Sequence, residues 1–176
     1  MSSLRPITVI TGASAGIGVA LARVFAQHGH ELALIARRED RLHALADEIA
    51  ATGARRPMVI AADLLKAGAA RLIGEALAAQ GAEPQFFVNN AGFGLVGLAS
   101  SRDRNEQLEM IDLNVRAFTE LSFAQRWFNV RFSAQSGYGG LLRNQGVRTI
   151  THGSVAQRAQ TPRRTSRSAV PGAGAD

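Results

Sequence analysis

Apolar positions along this chain follow two rhythms, and the two alternate. Ile7, Val9 and Ile10 form a short β-branched run. After the glycines at 12, 16 and 18 the spacing becomes helical: it starts near Ile17, turns Val19, Ala22 and Val24 to Ala26 inward, and stops at Gly29. A second apolar run, E-L-A-L-I-A, precedes the amphipathic stretch E-D-R-L-H-A-L-A-D-E-I-A. The cycle then repeats. Pro57 to Ala62 reads as a third strand, an alanine-rich helix over 67–80 ends at Gly81, and Q-F-F-V runs a fourth strand into a glycine turn. From Asp103 to about Ser122 the pattern is helical again, with Leu108, Ile111, Val115 and Phe118 or Thr119 sharing one face. Alternation of this kind predicts an α/β fold with a parallel sheet.

Past about Leu121 both rhythms stop. The sequence becomes rich in Arg, Ser, Gln, Gly and Thr, which predicts poor order and divides the chain into a folded part, 1–121, and a tail, 122–176. Charge divides at the same place. The net charge is +6, yet residues 1–120 hold 12 basic and 13 acidic groups, while residues 121–176 hold 8 arginines against Asp176 alone. The basicity therefore belongs to the tail and not to a folded face. Its arginines have little aromatic interleaving and no recognisable module, which argues against a nucleic-acid partner.

The bulk composition, 46% hydrophobic and 19% charged, suits one globular domain. No apolar run approaches the ~20 residues of a membrane span, and M-S-S-L-R-P lacks the apolar core of a secretory signal, so a cytoplasmic protein is expected. With no cysteine, thiolate metal sites and cysteine nucleophiles are excluded. The histidines at 28, 30, 43 and 152 lack metal spacing and read as surface or packing residues.

The chemistry begins at T-G-A-S-A-G-I-G, residues 11–18, between the first strand and the first helix. A glycine turn lets backbone approach a diphosphate, and the free N–H groups and positive dipole end of the helix face the same anion. Glycines near a strand also arise from tight turns and close helix packing. Here the spacing T-G-x-x-x-G-x-G resembles the cofactor loop of the short-chain dehydrogenase/reductase family, and N-N-A-G at 89–92, directly after the fourth strand, resembles a second hallmark of that family.

The resemblance implies a doubly wound, Rossmann-like sheet in the order 3-2-1-4 with a nicotinamide dinucleotide across its carboxyl ends. Gly12, Ser14, Gly16, Ile17 and Gly18 would form the phosphate loop. Arg37 and Arg38 follow the second strand, where the adenosine ribose lies; an arginine there suits the 2′-phosphate of NADP rather than NAD, although both could be solvated residues before a helix. Asp63, with Leu64, stands where the family binds adenine, or else Asp63 caps the helix beginning near Ala67. Asn90, Ala91 and Gly92 would line the nicotinamide ribose side. D-L-N-V at 112–115 resembles the segment whose asparagine joins the active site, making Asn114 a catalytic candidate that links a lysine to water; a helix asparagine bonded to nearby backbone is the other reading. The implied reaction is hydride transfer between a small alcohol and a carbonyl. The family is often oligomeric, but the usual interface elements are missing.

The resemblance stops before the chemistry does. The family needs a serine and a Tyr-x-x-x-Lys, the lysine lowering the tyrosine pKa so that the phenol exchanges a proton. The only tyrosine is Tyr138, four residues before Leu142, and the only lysine is Lys66. The chain thus reads as truncated or frameshifted. A shift of frame accounts for these oddities together: Leu141-Leu142-Arg143-Asn144-Gln145-Gly146 can be encoded CTA CTA CGC AAC CAA GGC, which one base on reads TAC TAC GCA ACC AAG, or Tyr-Tyr-Ala-Thr-Lys. In the same frame the codons of Phe128 and Asn129 give TYA, which permits serine 13 positions before the first of those tyrosines. Asn114 then lies nearer to that serine than the family spacing, implying a deletion near 122–125.

Overall fold

The computed structural model describes residues 4–124, 132–135 and 148–151. Its backbone alternates strand and helix: β1 (Arg5–Thr11), α1 (Gly16–Gln27), β2 (Leu32–Ala36), α2 (Glu39–Ala51), β3 (Met58–Ala61), α3 (Ala69–Ala79) and β4 (Ala82–Asn89). A 3-10 turn at Ala99–Ser101 leads to α4 (Arg104–Ile111), a π-helical segment Asp112–Ala117, and α5 (Phe118–Ala124). Two short strands follow, β5 (Phe132–Gln135) and β6 (Arg148–Thr151).

All strand pairs are parallel, and the sheet order is β3-β2-β1-β4-β5-β6. The expected 3-2-1-4 core is present, but the sheet has six strands and not four. F-S-A-Q lies in register beside the carboxyl half of β4, and R-T-I-T lies beside F-S-A-Q. Both runs are too short for a periodic signal, so the sequence pattern passes over them. The rest of the stretch expected to lack order, including Tyr138 and residues 141–146, lies outside the described residues.

The central strands are buried on both faces, as parallel strands covered by helices must be. Ile7, Val9, Ala33, Ile35 and Phe87 pack on one side against Ile73 and Leu77 of α3 and Leu121 of α5. Ile10, Leu32, Leu34 and Val88 face the other way, onto Ala22 and Ala26 of α1 and Leu42, Leu45 and Ile49 of α2. That is the doubly wound arrangement. One irregularity interrupts the ladder: β1 pairs with β4 through Ile7 and Pro84, then Thr8 and Phe86, so Gln85 is skipped. Pro84 has no N–H to donate, and the register slips beside it.

Two helix faces differ from the sequence reading. Gly18, Ala22 and Ala26 form the buried stripe of α1, whereas Val24, expected inside, is half exposed. A run of consecutive apolar residues cannot all face one side of a helix with 3.6 residues per turn. Leu108, Ile111 and Val115 share a face, but it is turned to solvent; Ala117 and Leu121 make the buried contact. No described helix is long and apolar enough to cross a membrane.

Candidate cofactor-binding site

The turn between β1 and α1 is built around Thr11, whose side chain is 1% exposed. Its hydroxyl donates to the Val88 carbonyl at 3.2 Å and accepts from the N–H groups of Asn90 and Ala91 at 3.0 and 3.1 Å. Asn90 answers with its Nδ2, which donates to the Thr11 carbonyl at 3.0 Å and the Gly12 carbonyl at 3.4 Å. Five contacts join the ends of two adjacent strands. Asn89 turns the other way, donating to the Ser122 hydroxyl at 3.3 Å, so the paired asparagines tie the end of β4 to the glycine loop on one side and to α5 on the other.

Glycine is required where these two turns meet. Gly12 has φ +67°, and a Cβ there would sit 2.8 Å from the Ala91 Cα. A Cβ on Gly18 would run into the Gly12 carbonyl. Gly16, with φ +56°, is different: nothing lies within 4 Å of its would-be Cβ, so its bare face looks into open space. It is also the first residue of α1, and Ala15 before it offers no side-chain cap to the leading N–H groups. Backbone donors and a helix dipole therefore face the opening together.

That opening is a groove of about 890 Å³ across the carboxyl ends of β1 to β4. Gly12, Ser14, Gly16, Ile17, Arg37, Arg38, Asp63, Leu64, Asn90, Ala91 and Gly92, all expected from the sequence, lie along it. Gly18 stands behind, in the packing between loop and helix. At the β2 end the Arg38 Nη2 donates to the Ser14 hydroxyl at 3.2 Å, spanning two separate loops. At the β3 end Asp63 accepts from the Leu65 N–H at 3.1 Å and closes a turn. It does not cap a helix, because α3 starts later, at Ala69, after Gly68 in a left-handed conformation.

Asn114 lies in the π-helical segment and is bonded to backbone of a distant loop. Its Oδ1 accepts from the Phe93 N–H at 3.1 Å, and its Nδ2 donates to the Phe93 carbonyl at 2.7 Å. Each polar atom of the amide thus makes one bond to Phe93, and a Cβ on Gly92 would meet the Asn114 Oδ1. Sequence reasoning missed Thr11, Leu65, Phe93 and Leu113. Thr11 was legible in principle, since a threonine at the end of a buried apolar strand needs a partner for its hydroxyl.

A glycine loop and bare helix start facing a groove at the carboxyl ends of parallel strands, with the strand order reversing between β1 and β4, define a dinucleotide-binding α/β domain. Comparison with known proteins narrows this. The sequence model of the short chain dehydrogenase family matches residues 6–126, and the chain belongs to that family. An 11-beta-hydroxysteroid dehydrogenase from Pinus massoniana is 37% identical over 110 residues, 61% of this chain and 31% of that protein. An alcohol dehydrogenase from the archaeon Thermococcus sibiricus, complexed with 5-hydroxy-NADP, superposes with TM-score 0.68 at 29% identity over 75% of this chain and 57% of that one. A short-chain dehydrogenase from Sphingobium yanoikuyae, in complex with NADPH, gives 0.67 at 30% identity over 75% and 53%. The chain thus spans about a third of the pine relative and little more than half of these structures.

Proposed function

We propose that this chain is the cofactor-holding front of an NADP-dependent oxidoreductase that moves a hydride between a small alcohol and a carbonyl. The observation that carries the cofactor choice is the Arg38 contact to Ser14, with Arg37 beside it, at the end of β2. Two guanidinium groups and a hydroxyl suit a phosphate on the adenosine ribose better than a bare hydroxyl. The 5-hydroxy-NADP and NADPH bound by the two related structures support the same choice. The other groove residues fit the rest of the dinucleotide. The glycine loop and start of α1 receive the diphosphate, Asp63 and Leu64 the adenine, and Asn90, Ala91 and Gly92 the nicotinamide ribose side. The dinucleotide, when bound, supplies the hydride acceptor or donor.

Proton exchange is the part this chain does not perform. Asn114 is neutral, and both of its amide atoms are held by Phe93. Its role is to fix the loop after N-N-A-G, and it passes no proton. Lys66 sits on the exposed turn after β3, toward the adenine end. A positioned acid or base contributes about 10²–10⁴-fold to such a reaction. The chain as written therefore binds cofactor without turnover, and the serine and Tyr-x-x-x-Lys lie in the neighbouring reading frame after residue 121. The same missing groups favour a second reading, a non-catalytic dinucleotide-binding protein whose basic tail engages a partner.

Fluorescence titration of the full chain with NADPH and NADH tests the cofactor assignment. NADPH binds at least about tenfold more tightly, and the Arg37→Ala/Arg38→Ala double variant loses the preference. Equal affinities in the unmodified chain, or a preference that survives the double substitution, overturn it. The catalytic part is tested by restoring the missing bases and assaying NADPH oxidation with aldehydes and ketones. Turnover is expected only after repair; comparable turnover by the unrepaired chain sinks this reading.

A further inference from the structure

The π-helical segment Asp112–Ala117 reaches the groove at two places, directly at Leu113 and through Asn114 at the Phe93 loop. Leu113 lines the groove, Asn114 holds both backbone polar groups of Phe93, and Ala117 is buried against the sheet. Between them Arg116 reaches outward and across. Its Nη2 donates to the Leu65 carbonyl at 3.4 Å, Nε donates to Asp112 Oδ1 at 2.9 Å, and Nη1 lies 3.7 Å from Glu120. The Leu65 N–H is already held by Asp63 at 3.1 Å. Both peptide groups of Leu65 are therefore fixed, one by a residue of its own turn and one by a residue 51 positions away.

We propose that Arg116 is a positioning residue for the adenine end of the groove, acting through the Leu65 carbonyl, and that the π-helical turn ties that end to the Phe93 loop. The inference rests on the dinucleotide reading above and names a part of the binding apparatus that lines no part of the groove itself. Positions three and four apart lie on one face of a helix, so Leu113, Arg116 and Ala117 serve the same side of the fold, with Asn114 beside them. Guanidinium geometry is needed because three acceptors in different directions are engaged at once; a lysine ammonium is a single point on a flexible stem. The carboxylates of Asp112 and Glu120 hold the fork on its own helix through Nε and Nη1, and Nη2 is left to steady Leu65. Without it, the Asp63-Leu64-Leu65 turn has to be ordered by the ligand, and adenine binding weakens.

The test uses the full chain with adenosine 2′,5′-bisphosphate, a probe of the adenine half alone, and with NADPH. Arg116→Met weakens both by about five- to tenfold, as loss of one hydrogen bond from a charged donor implies. Arg116→Lys recovers less than half of the loss. Amide hydrogen exchange without ligand supplies a readout that needs no binding: amides of 64–66 exchange faster in either variant, while those of α1 do not change. Combining Arg116→Met with Asn114→Ala costs less than the product of the single losses, because one turn carries both. Unchanged affinity for the bisphosphate with unchanged exchange at 64–66 overturns the proposal and leaves the cofactor reading standing. Failure of the unmodified chain to bind NADPH overturns both.

Discussion

The glycine loop and the α4–α5 arm both line the groove, but they are held by different physics. In the loop, each contact joins a short side chain, the Thr11 hydroxyl or the Asn90 amide, to the backbone beside it. Gly12, Gly18, Thr11 and Asn90 lock two strand ends through backbone carbonyls and N–H groups, with no room for a Cβ between them. In the arm, longer side chains on a helix reach the backbone of other loops, Asn114 that of Phe93 and Arg116 that of Leu65, while Leu108, Ile111 and Val115 are half exposed. A backbone lock is specified by residue identity at fixed spacing. A side-chain arm is specified by where a helix docks, which depends on the rest of the fold.

The broadest effect expected from this contrast, on stability and cofactor binding together, is that of Gly18→Ala. The added methyl meets the Gly12 carbonyl and the Asn90 amide, neither of which can yield without opening the turn. Overpacking of this kind costs about 1–3 kcal/mol or more, and a lower midpoint in urea should appear together with loss of NADPH binding. Gly16→Ala separates stability from binding. Its Cβ meets nothing, so the fold bears only the left-handed backbone cost of about 1–2 kcal/mol, yet the methyl projects where the diphosphate must come close. Equal damage from Gly18→Ala and Gly16→Ala would contradict the distinction.

The next effect lies within the arm itself. Leu121 is 4% exposed and packs against α3, whereas Val115 is 57% exposed, though both are apolar residues of one continuous helical stretch. Leu121→Ala should destabilise by about 2–5 kcal/mol, and Val115→Ala by no more than about 0.5 kcal/mol. Chemical denaturation of both variants measures the difference. Similar losses would mean that the outward stripe is covered in solution.

What the sequence made legible follows the same division. Gly12, Gly16, Gly18, Asn90 and Gly92 were readable because spacing between a strand and a helix leaves the backbone few alternatives. Arg37 and Arg38 were readable for a related reason: they follow a strand whose end was plain from E-L-A-L-I-A. Asn114 was found as a residue, but its bidentate hold on Phe93 was not, since nothing local reveals a partner 21 positions away. The inward assignment of Val24 failed because consecutive apolar residues fix no single face. The apolar stripe at 108–115 has a helical period, but a period says which residues lie together and not which way they point. Nor does it announce the π turn, which widens the helix without changing its apolar spacing enough to be seen. β5 and β6, four residues each, are strands by their position, β5 beside β4 and β6 beside β5, and composition gave no sign of them.

The smallest expected effect is electrostatic, and it compares one exposed ion pair from each region. Arg23 on α1 donates to both carboxylate oxygens of Glu48 on α2, at 2.7 and 2.9 Å, and this hydrogen bonding holds the Glu48 carboxyl below its ordinary range. In the arm, the hydrogen bond from Arg116 does the same for Asp112. A depressed carboxyl pKa means that folding favours the charged form. The resulting stability is present above the unfolded carboxylate range and is lost as the pH falls through the lowered folded value. Each pair is fully exposed, so each contribution is small and screened by salt. The two differ in what they connect. Glu48 bridges two helices through a two-pronged contact, while Asp112 pairs within one helix at i, i+4. Thermal unfolding followed from neutral pH down through the carboxylate range should therefore be less steep with Glu48→Gln than with Asp112→Asn, both measured against the unmodified chain at low salt. The difference should shrink as salt is added. A steeper acid loss in Glu48→Gln than in the unmodified chain would reverse the sign of the argument, because removing a titrating group cannot add proton uptake that its charged form was supplying.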